Sequence, residues 1–370
     1  VRRKAGVLLA LAALAASGCS QLKPFDSASY VRAQIARQGG AELASEVEIP
    51  FAIDDSVRTA LRRDTRLVST EEGRVEQLLN FIFGRLSLTY ELLPTRDAVA
   101  AFRDRRGNCL SFVNLFVGMA RDSGLNPFYV EVTDYQTWNH RGGLVISQGH
   151  IVAGMYLSGG LKTFDFIPYR PKSYRNFKPI DDLTAMAHFY NNLGAEALMA
   201  GDLARARRMT TLSTRLAPRF ANGLNNLGVC LARSGDPAGA LDYYRRASEV
   251  EPANTLVMTN ILHVYQSQGR TAEAAELEKK VEAANTGNPF FFVYLGDMAL
   301  ARGEHGRAMD YMVRALRLDD HLPEVHLGLV RVYLAQGDVE HARHFLARAL
   351  ELDATDTEAQ KYARLLGQSK

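Results

Sequence analysis

Arg106-Gly107-Asn108-Cys109-Leu110-Ser111-Phe112 is the stretch from which this chain is best read. A glycine and an amide precede a cysteine, and an apolar-periodic segment follows it. Leu110, Val113, Leu115, Phe116, Val117 and Met119 predict a mostly buried helix running to about Asp122. Asn108 stands where a helix N-cap is wanted, which puts Cys109 in the first turn. A thiol there meets the positive end of the helix dipole, an environment that favours the nucleophilic thiolate. The plain alternative is a small buried hydrophobe, which is what most lone cysteines are. The surrounding sequence has to decide between the two.

Upstream, Ser69-Thr70-Glu71-Glu72 opens a helix, and Ser69 with Glu72 has capping-box spacing. Val75, Leu78, Leu79, Phe81 and Ile82 give it an apolar face through Phe83. A second short helix, from Arg96 to Arg103, leads into Gly107. Downstream, Gly124 is a stop signal for the cysteine helix. Phe128 to Val132 reads as a strand, followed by a polar loop with Trp138, Asn139 and His140. Gly149 to Leu157 is a second strand, Ser158-Gly159-Gly160 a hairpin loop, and Leu161 to Ile167 the returning strand, with Asp165 in its second half. In an antiparallel hairpin, residues equidistant from the turn face one another. His150 and Asp165 are nearly equidistant from this one, which pairs them to within a residue or two. His140 is a rival base, but its loop has no acidic partner at hairpin distance. Trp138 reads equally as a cleft wall or as local packing.

The order is therefore helix with Cys109, strand starting at His150, strand carrying Asp165, with separations of 41 and 15 residues. Over roughly residues 70 to 170 this order resembles the transglutaminase-like superfamily, whose core belongs to the papain-like cysteine enzymes. There the cysteine opens a helix, the histidine starts a strand, and the aspartate lies on the neighbouring strand in a context like Asp165-Phe166-Ile167-Pro168. The resemblance implies a catalytic triad of Cys109, His150 and Asp165. Cys109 attacks an acyl carbon, His150 moves the proton, and Asp165 holds the imidazole. The Cys109 amide N–H, at a helix start, is a candidate oxyanion donor. No cofactor is implied.

Composition is that of a globular protein, and a net charge of +3 gives no argument for nucleic acid. Cys19, Cys109 and Cys230 are too few for a disulfide framework, and no CxxC or CxxH pair suggests a structural metal. Arg2-Arg3-Lys4 is a positive n-region; Val1 reads as an alternative start codon, which would make that region complete. The apolar run Ala5 to Ala16 is too short to span a bilayer comfortably and fits a signal-peptide core. Ala16-Ser17-Gly18-Cys19 resembles a bacterial lipobox, departing from it at Ala16, where leucine is preferred. An ordinary signal peptide is the alternative. The resemblance makes Cys19 a lipidation site, since several acyl chains on one residue give stable anchoring. The absence of Asp after it resembles the signal for the outer membrane, facing the periplasm. Residues 19–50 are expected to be a tether and linker, and residues 51–182 the transglutaminase-like domain.

Beyond a basic, Pro-punctuated boundary near Lys172 to Asp182, a period of 34 residues appears. Leu193-Gly194, Leu227-Gly228, Ile261-Leu262, Leu295-Gly296 and Leu329-Val330 recur. So do Gly201, Gly235, Gly269, Gly303 and Gly337, and then Ala206, Ala240, Ala274, Ala308 and Ala342. Pro218 and Pro252 close the first two units. The pattern looks like tetratricopeptide repeats, a helix–turn–helix unit of this length. Five units from about Ala187 to Asp356 and a capping helix from Thr357 to Gln368 would form an all-α superhelix over 183–370, with a concave groove. Asn192, Asn226 and Asn260 hold one position in three successive units, preceded in two of them by Asn191 and Asn225. Such a ladder suits the backbone of an extended peptide; a solvated polar face is the alternative. The basic pattern of a carboxylate clamp is missing. Cys230 falls on a first helix and reads as core packing.

The expected fold is thus an α+β papain-like, transglutaminase-like domain followed by an all-α tetratricopeptide superhelix. The expected molecule is a lipid-anchored envelope cysteine peptidase or amidase, with repeats that recruit a protein or peptide. The alternatives are an acyltransferase using the same triad and a non-catalytic scaffold.

Overall fold

The computed structural model describes residues 27–64, 68–141, 144–166, 176–283 and 287–367. The signal-peptide and lipobox residues, Cys19 included, lie outside them. The chain divides into two compact units. The first comprises Val1–Leu92, Arg96–Val130 and Val152–Tyr169; the second comprises Leu93–Thr95, Glu131–Ile151 and Arg170–Lys370.

In the first unit, α1 (Ser27–Glu46) occupies part of the segment expected to be a linker. It is helical on both sides of a kink at Gly39–Gly40. Val31, Ile35 and Leu43 are fully buried. Val31 and Ile35, four apart, share one stripe before the kink, Leu43 is buried after it, and their burial converts a weakly patterned sequence into core. α2 (Asp55–Asp64) and α3 (Glu71–Leu79) follow. The cap of α3 is Thr70, whose Oγ1 accepts the Gly73 N–H at 3.2 Å, rather than the expected Ser69–Glu72 box. Glu72 accepts from the Ser158 hydroxyl at 2.6 Å and the Ser158 N–H at 3.1 Å instead. Its N-terminal turn is thereby tied to a hairpin 86 residues away. A π-helical turn (Asn80–Leu86) extends α3 and buries Phe81, Ile82 and Leu86.

The short strands β1 (Thr89–Tyr90) and β2 (Arg106–Gly107) pair in parallel, flanking α4 (Ala98–Asp104). Then comes α5 (Cys109–Asp122), in which Leu110 through Ala120 are all buried. Tyr129 donates its hydroxyl to Asn114 Oδ1 at 2.8 Å, satisfying a polar group in the middle of this helix.

Four strands make the main sheet: β3 (Phe128–Arg141), β4 (Leu144–Leu157), β5 (Gly160–Phe164) and β6 (Phe177–Ile180), in the order β5-β4-β3-β6. Trp138, Asn139 and His140 therefore continue β3 and are not in a loop, and β4 starts at Leu144 rather than Gly149. Ladder bonds are made by backbone groups, so a polar run with no apolar alternation can still pair. The β4–β5 register runs from Ala153 opposite Phe164 to Leu157 opposite Gly160, which makes Ser158–Gly159 the turn. Gly160, at φ +99°, opens β5 in a conformation that favours glycine.

In the second unit, eleven helices are found among the described residues. They are α6 (Asp182–Met199), α7 (Leu203–Leu216), α8 (Ala221–Arg233), α9 (Pro237–Val250), α10 (Thr255–Ser267), α11 (Thr271–Ala283), α12 (Pro289–Ala301), α13 (His305–Leu318), α14 (Pro323–Ala335), α15 (Val339–Leu352) and α16 (Thr357–Leu365). The first ten form five pairs, and α16 closes the stack. In the link of each pair a glycine takes a left-handed φ: Gly201 at 77°, Gly235 at 83°, Gly269 at 68°, Gly303 at 75° and Gly337 at 78°. This is the backbone state that ends a helix most cheaply without a Cβ. The recurring alanines of the second helices are all buried. No helix among the described residues is long and apolar enough to cross a membrane.

Candidate functional site

Cys109 is the first residue of α5 and is half-buried, with a free thiol. Its position follows from the residues around it. Asn108, in extended backbone at φ −89°, caps the helix by accepting the Ser111 N–H on Oδ1 at 3.0 Å. The Ser111 hydroxyl donates to the same Oδ1 at 3.0 Å and accepts the Arg96 N–H at 2.8 Å. Asn108 Nδ2 donates to the Leu92 carbonyl at 3.3 Å. Asn108 and Ser111 are both buried. Gly107 sits against them: a Cβ there would come within 2.6 Å of Ser111 Cβ. On the surface beside this turn, Glu91 accepts from Arg106 at 2.9 Å and pairs with Arg96 at 3.3 Å. Arg96 also pairs with Asp104 at 3.2 Å.

Asp165 lies in the same unit, immediately after β5 and half-buried. The residues on either side of it are held by α5. The Phe116 ring lies 5.0 Å from Phe164 and 5.5 Å from Phe166, and Phe83 stacks on Phe166 at 5.6 Å. Continued by one residue, the β4–β5 register sets Val152, not His150, across from Asp165. The offset from the expected pairing is two residues, because the turn centres between Ser158 and Gly159, one residue beyond the midpoint of His150 and Asp165. Alternate residues of a strand share a face, so the offset leaves the face unchanged. His150 is buried on β4, in the part of that strand belonging to the second unit.

In the second unit, Asn226 and Asn260 join an amide ladder through Asn191 and Asn225. Asn260 Nδ2 donates to Asn225 Oδ1 at 2.8 Å, Asn225 Nδ2 to Asn226 Oδ1 at 3.2 Å, and Asn226 Nδ2 to Asn191 Oδ1 at 2.9 Å. These bonds link α6, α8 and α10. Asn192 is outside this chain of bonds. Cys230 is buried, with Thr210 Oγ1 at 3.7 Å from its sulfur, and burial raises its thiol pKa. A further polar pair was not anticipated: His188 Nε2 on α6 lies 3.8 Å from a Glu131 carboxylate oxygen on β3. Burial, with Lys178 nearby, brings His188 down to about 4, and burial raises Glu131. Neither residue belongs to a motif, so spacing carried no signal for it.

Comparison with known families agrees with this layout. Residues 59–171 match the transglutaminase-like superfamily, and residues 221–254 and 299–366 match the tetratricopeptide repeat. The probable UDP-N-acetylglucosamine–peptide N-acetylglucosaminyltransferase SPINDLY of Hordeum vulgare is 28% identical over 154 residues, 38% of this chain and 16% of that protein. Photosystem I assembly protein Ycf3 of Prochlorococcus marinus (strain MIT 9303) is 30% identical over 107 residues, 28% of this chain and 62% of that one. The chain spans less than two thirds of the length of either relative. A thermophilic TPR protein of Thermus thermophilus superposes with a TM-score of 0.44 at 19% identity, covering 50% of this chain and 100% of that one. PilW, described as a widely conserved type IV pilus biogenesis factor, gives 0.41 at 17% identity, covering 50% and 87%. This chain carries a transglutaminase-like domain followed by tetratricopeptide repeats.

Proposed function

We propose that the protein is a cysteine peptidase or amidase whose repeats recruit a protein or peptide substrate. The observation that carries the reading is Cys109 itself: a half-buried free thiol on the first residue of a buried helix, inside the transglutaminase-like region. Cys109 stands at the positive end of that helix.

In the proposed reaction the Cys109 thiolate attacks an acyl carbon. The C–N bond breaks, His150 gives its proton to the departing amine, and a thioester remains on Cys109. His150 then takes a proton from water, which attacks the thioester; the acid leaves and the thiol is restored. Asp165 accepts the other imidazole N–H and fixes the tautomer. The order of Cys109, His150 and Asp165 along the chain, inside the region that matches the transglutaminase-like superfamily, supports this assignment.

The tetratricopeptide repeats support a protein- or peptide-binding role, with Asn192, Asn226 and Asn260, at one position in three successive units, as the groove residues proposed. The N-terminal sequence supports attachment to a bacterial envelope membrane through lipid on Cys19. Envelope fractions of cells carrying Cys109→Ala are expected to accumulate uncleaved acyl-amide material compared with cells carrying the native protein. Identical envelopes and full function in the Cys109→Ala cells would leave only a scaffold role.

A further inference from the structure

We propose that Ser111 is a positioning residue for Cys109, a role that rests on Cys109 being the nucleophile. Ser111 is fully buried, and the Arg96 turn and the Gly107–Asn108 turn both meet on it. Its hydroxyl accepts the Arg96 N–H, from the turn before α4, at 2.8 Å. It spends its proton on Asn108 Oδ1 at 3.0 Å, and its own N–H goes to the same oxygen at 3.0 Å. Its Cβ occupies the space that any side chain at Gly107 would need.

The consequence falls on Cys109, which lies between Asn108 and Ser111 with Leu110. With both Ser111 donors on Oδ1, the Asn108 amide is committed to the third residue of the helix. No acceptor among the described residues engages the N–H groups of Cys109 or Leu110. The backbone is thus held at Asn108 and at Ser111, on either side of Cys109. A hydroxyl at position 111 is not needed for an ordinary helix start, because a capped Asn alone suffices there. Here it adds a partly buried bond to the Arg96 backbone, which joins the thiol-bearing turn to a segment outside the helix. Ser111 therefore fixes where the thiol points and does not itself touch substrate.

The test is alkylation of Cys109 by iodoacetamide, followed by mass spectrometry of the peptide that carries it, as a function of pH. Full-length native protein, Ser111→Ala and His150→Ala are compared at a temperature where circular dichroism shows each one folded. Ser111→Ala is expected to label about fivefold more slowly, with its profile moved to higher pH. The Asn108→Gly variant removes the same acceptor from the other side at little cost to the helix start, and is expected to behave alike. The double variant should be no slower than either single one, because both remove one hydrogen-bonded unit. If Ser111→Ala does not fold, the Asn108→Gly profile decides. A folded Ser111→Ala protein that labels with the native rate and profile would overturn the proposal. A His150→Ala protein that labels like native, beside a slow Ser111→Ala, would overturn the triad and leave Ser111 in its role.

Discussion

The ring of Phe116 lies 5.0 Å from the ring of Phe164, the residue just before Asp165. Phe116 is two helical turns along α5 from Cys109, and its ring also contacts Phe166. One fully buried aromatic side chain thus ties the helix that starts at Cys109 to both neighbours of Asp165. Replacing it with alanine is expected to cost about 3 to 5 kcal/mol, through lost apolar contact and a cavity. Urea denaturation measures this directly. A loss of about 1 kcal/mol or less would mean that the contact does not hold the strand end.

The repeat glycines and an exposed helical glycine should respond with opposite signs. Gly269 has φ +68°, so Gly269→Ala is expected to destabilise by about 1 kcal/mol or more. Gly306 is exposed on α13, and a Cβ there meets nothing. Gly306→Ala is expected to stabilise by roughly 0.5 to 1 kcal/mol, since alanine is the better helix former. Thermal denaturation of the two variants reads the sign, and a change of the same sign in both would contradict the account.

The asparagines of the ladder should not be equivalent. Asn225 is buried, donates to Asn226 and accepts from Asn260. Asn225→Ala leaves two amide groups without their partners and is expected to lose about 1 to 3 kcal/mol. Asn192 is outside the ladder, and Asn192→Ala should stay within about 0.5 kcal/mol of native. Denaturation midpoints of both test it; equal losses would show that the ladder is not what holds these helices in register.

Stability should fall in acid partly because of His188. Its pKa is about 4 in the folded chain against an ordinary 6.5, lowered by burial and then by Lys178. Between those values the unfolded chain binds a proton that the folded chain does not, so stability rises with pH across this window and is fully present above about 6.5. The loss on going below about 4 amounts to roughly 3 kcal/mol. Glu131 acts in the opposite sense: burial raises its pKa above the ordinary 4.5, so unfolding releases its proton and that contribution declines as pH rises through the folded value. Replacing His188 with leucine should flatten the acid limb of the stability profile. An unchanged limb in His188→Leu would place the acid sensitivity elsewhere.

The repeats were legible because one physical requirement recurs at fixed spacing. A left-handed residue must end each first helix, and glycine supplies it five times. The Cys109 helix was legible for a similar reason, with an amide cap before a continuous apolar run. Less could be read where tertiary contacts override local pattern. Val31, Ile35 and Leu43 are sparse and lie on two sides of a kink, so only their burial against the rest of the unit reveals them as core. Thr70 rather than Ser69 caps α3 because the Glu72 carboxylate is taken by Ser158, a partner far along the chain. Trp138 to His140 pair through their backbone, to which side-chain periodicity is blind. Asn226 and Asn260 were picked out by spacing, but their bonds run to Asn191 and Asn225, because the helices pack with an offset of one residue between partners. Ser111 does have a local signal, three residues after the capping Asn108, but its bond to the Arg96 backbone needs the fold.

The most direct test of the central claim is the alkylation rate of Cys109 in His150→Ala against native protein near neutral pH, with the modified peptide identified by mass spectrometry. A proton-accepting imidazole paired with the thiol should make native Cys109 label about tenfold faster or more than in the variant. Equal rates in two folded proteins would contradict the triad.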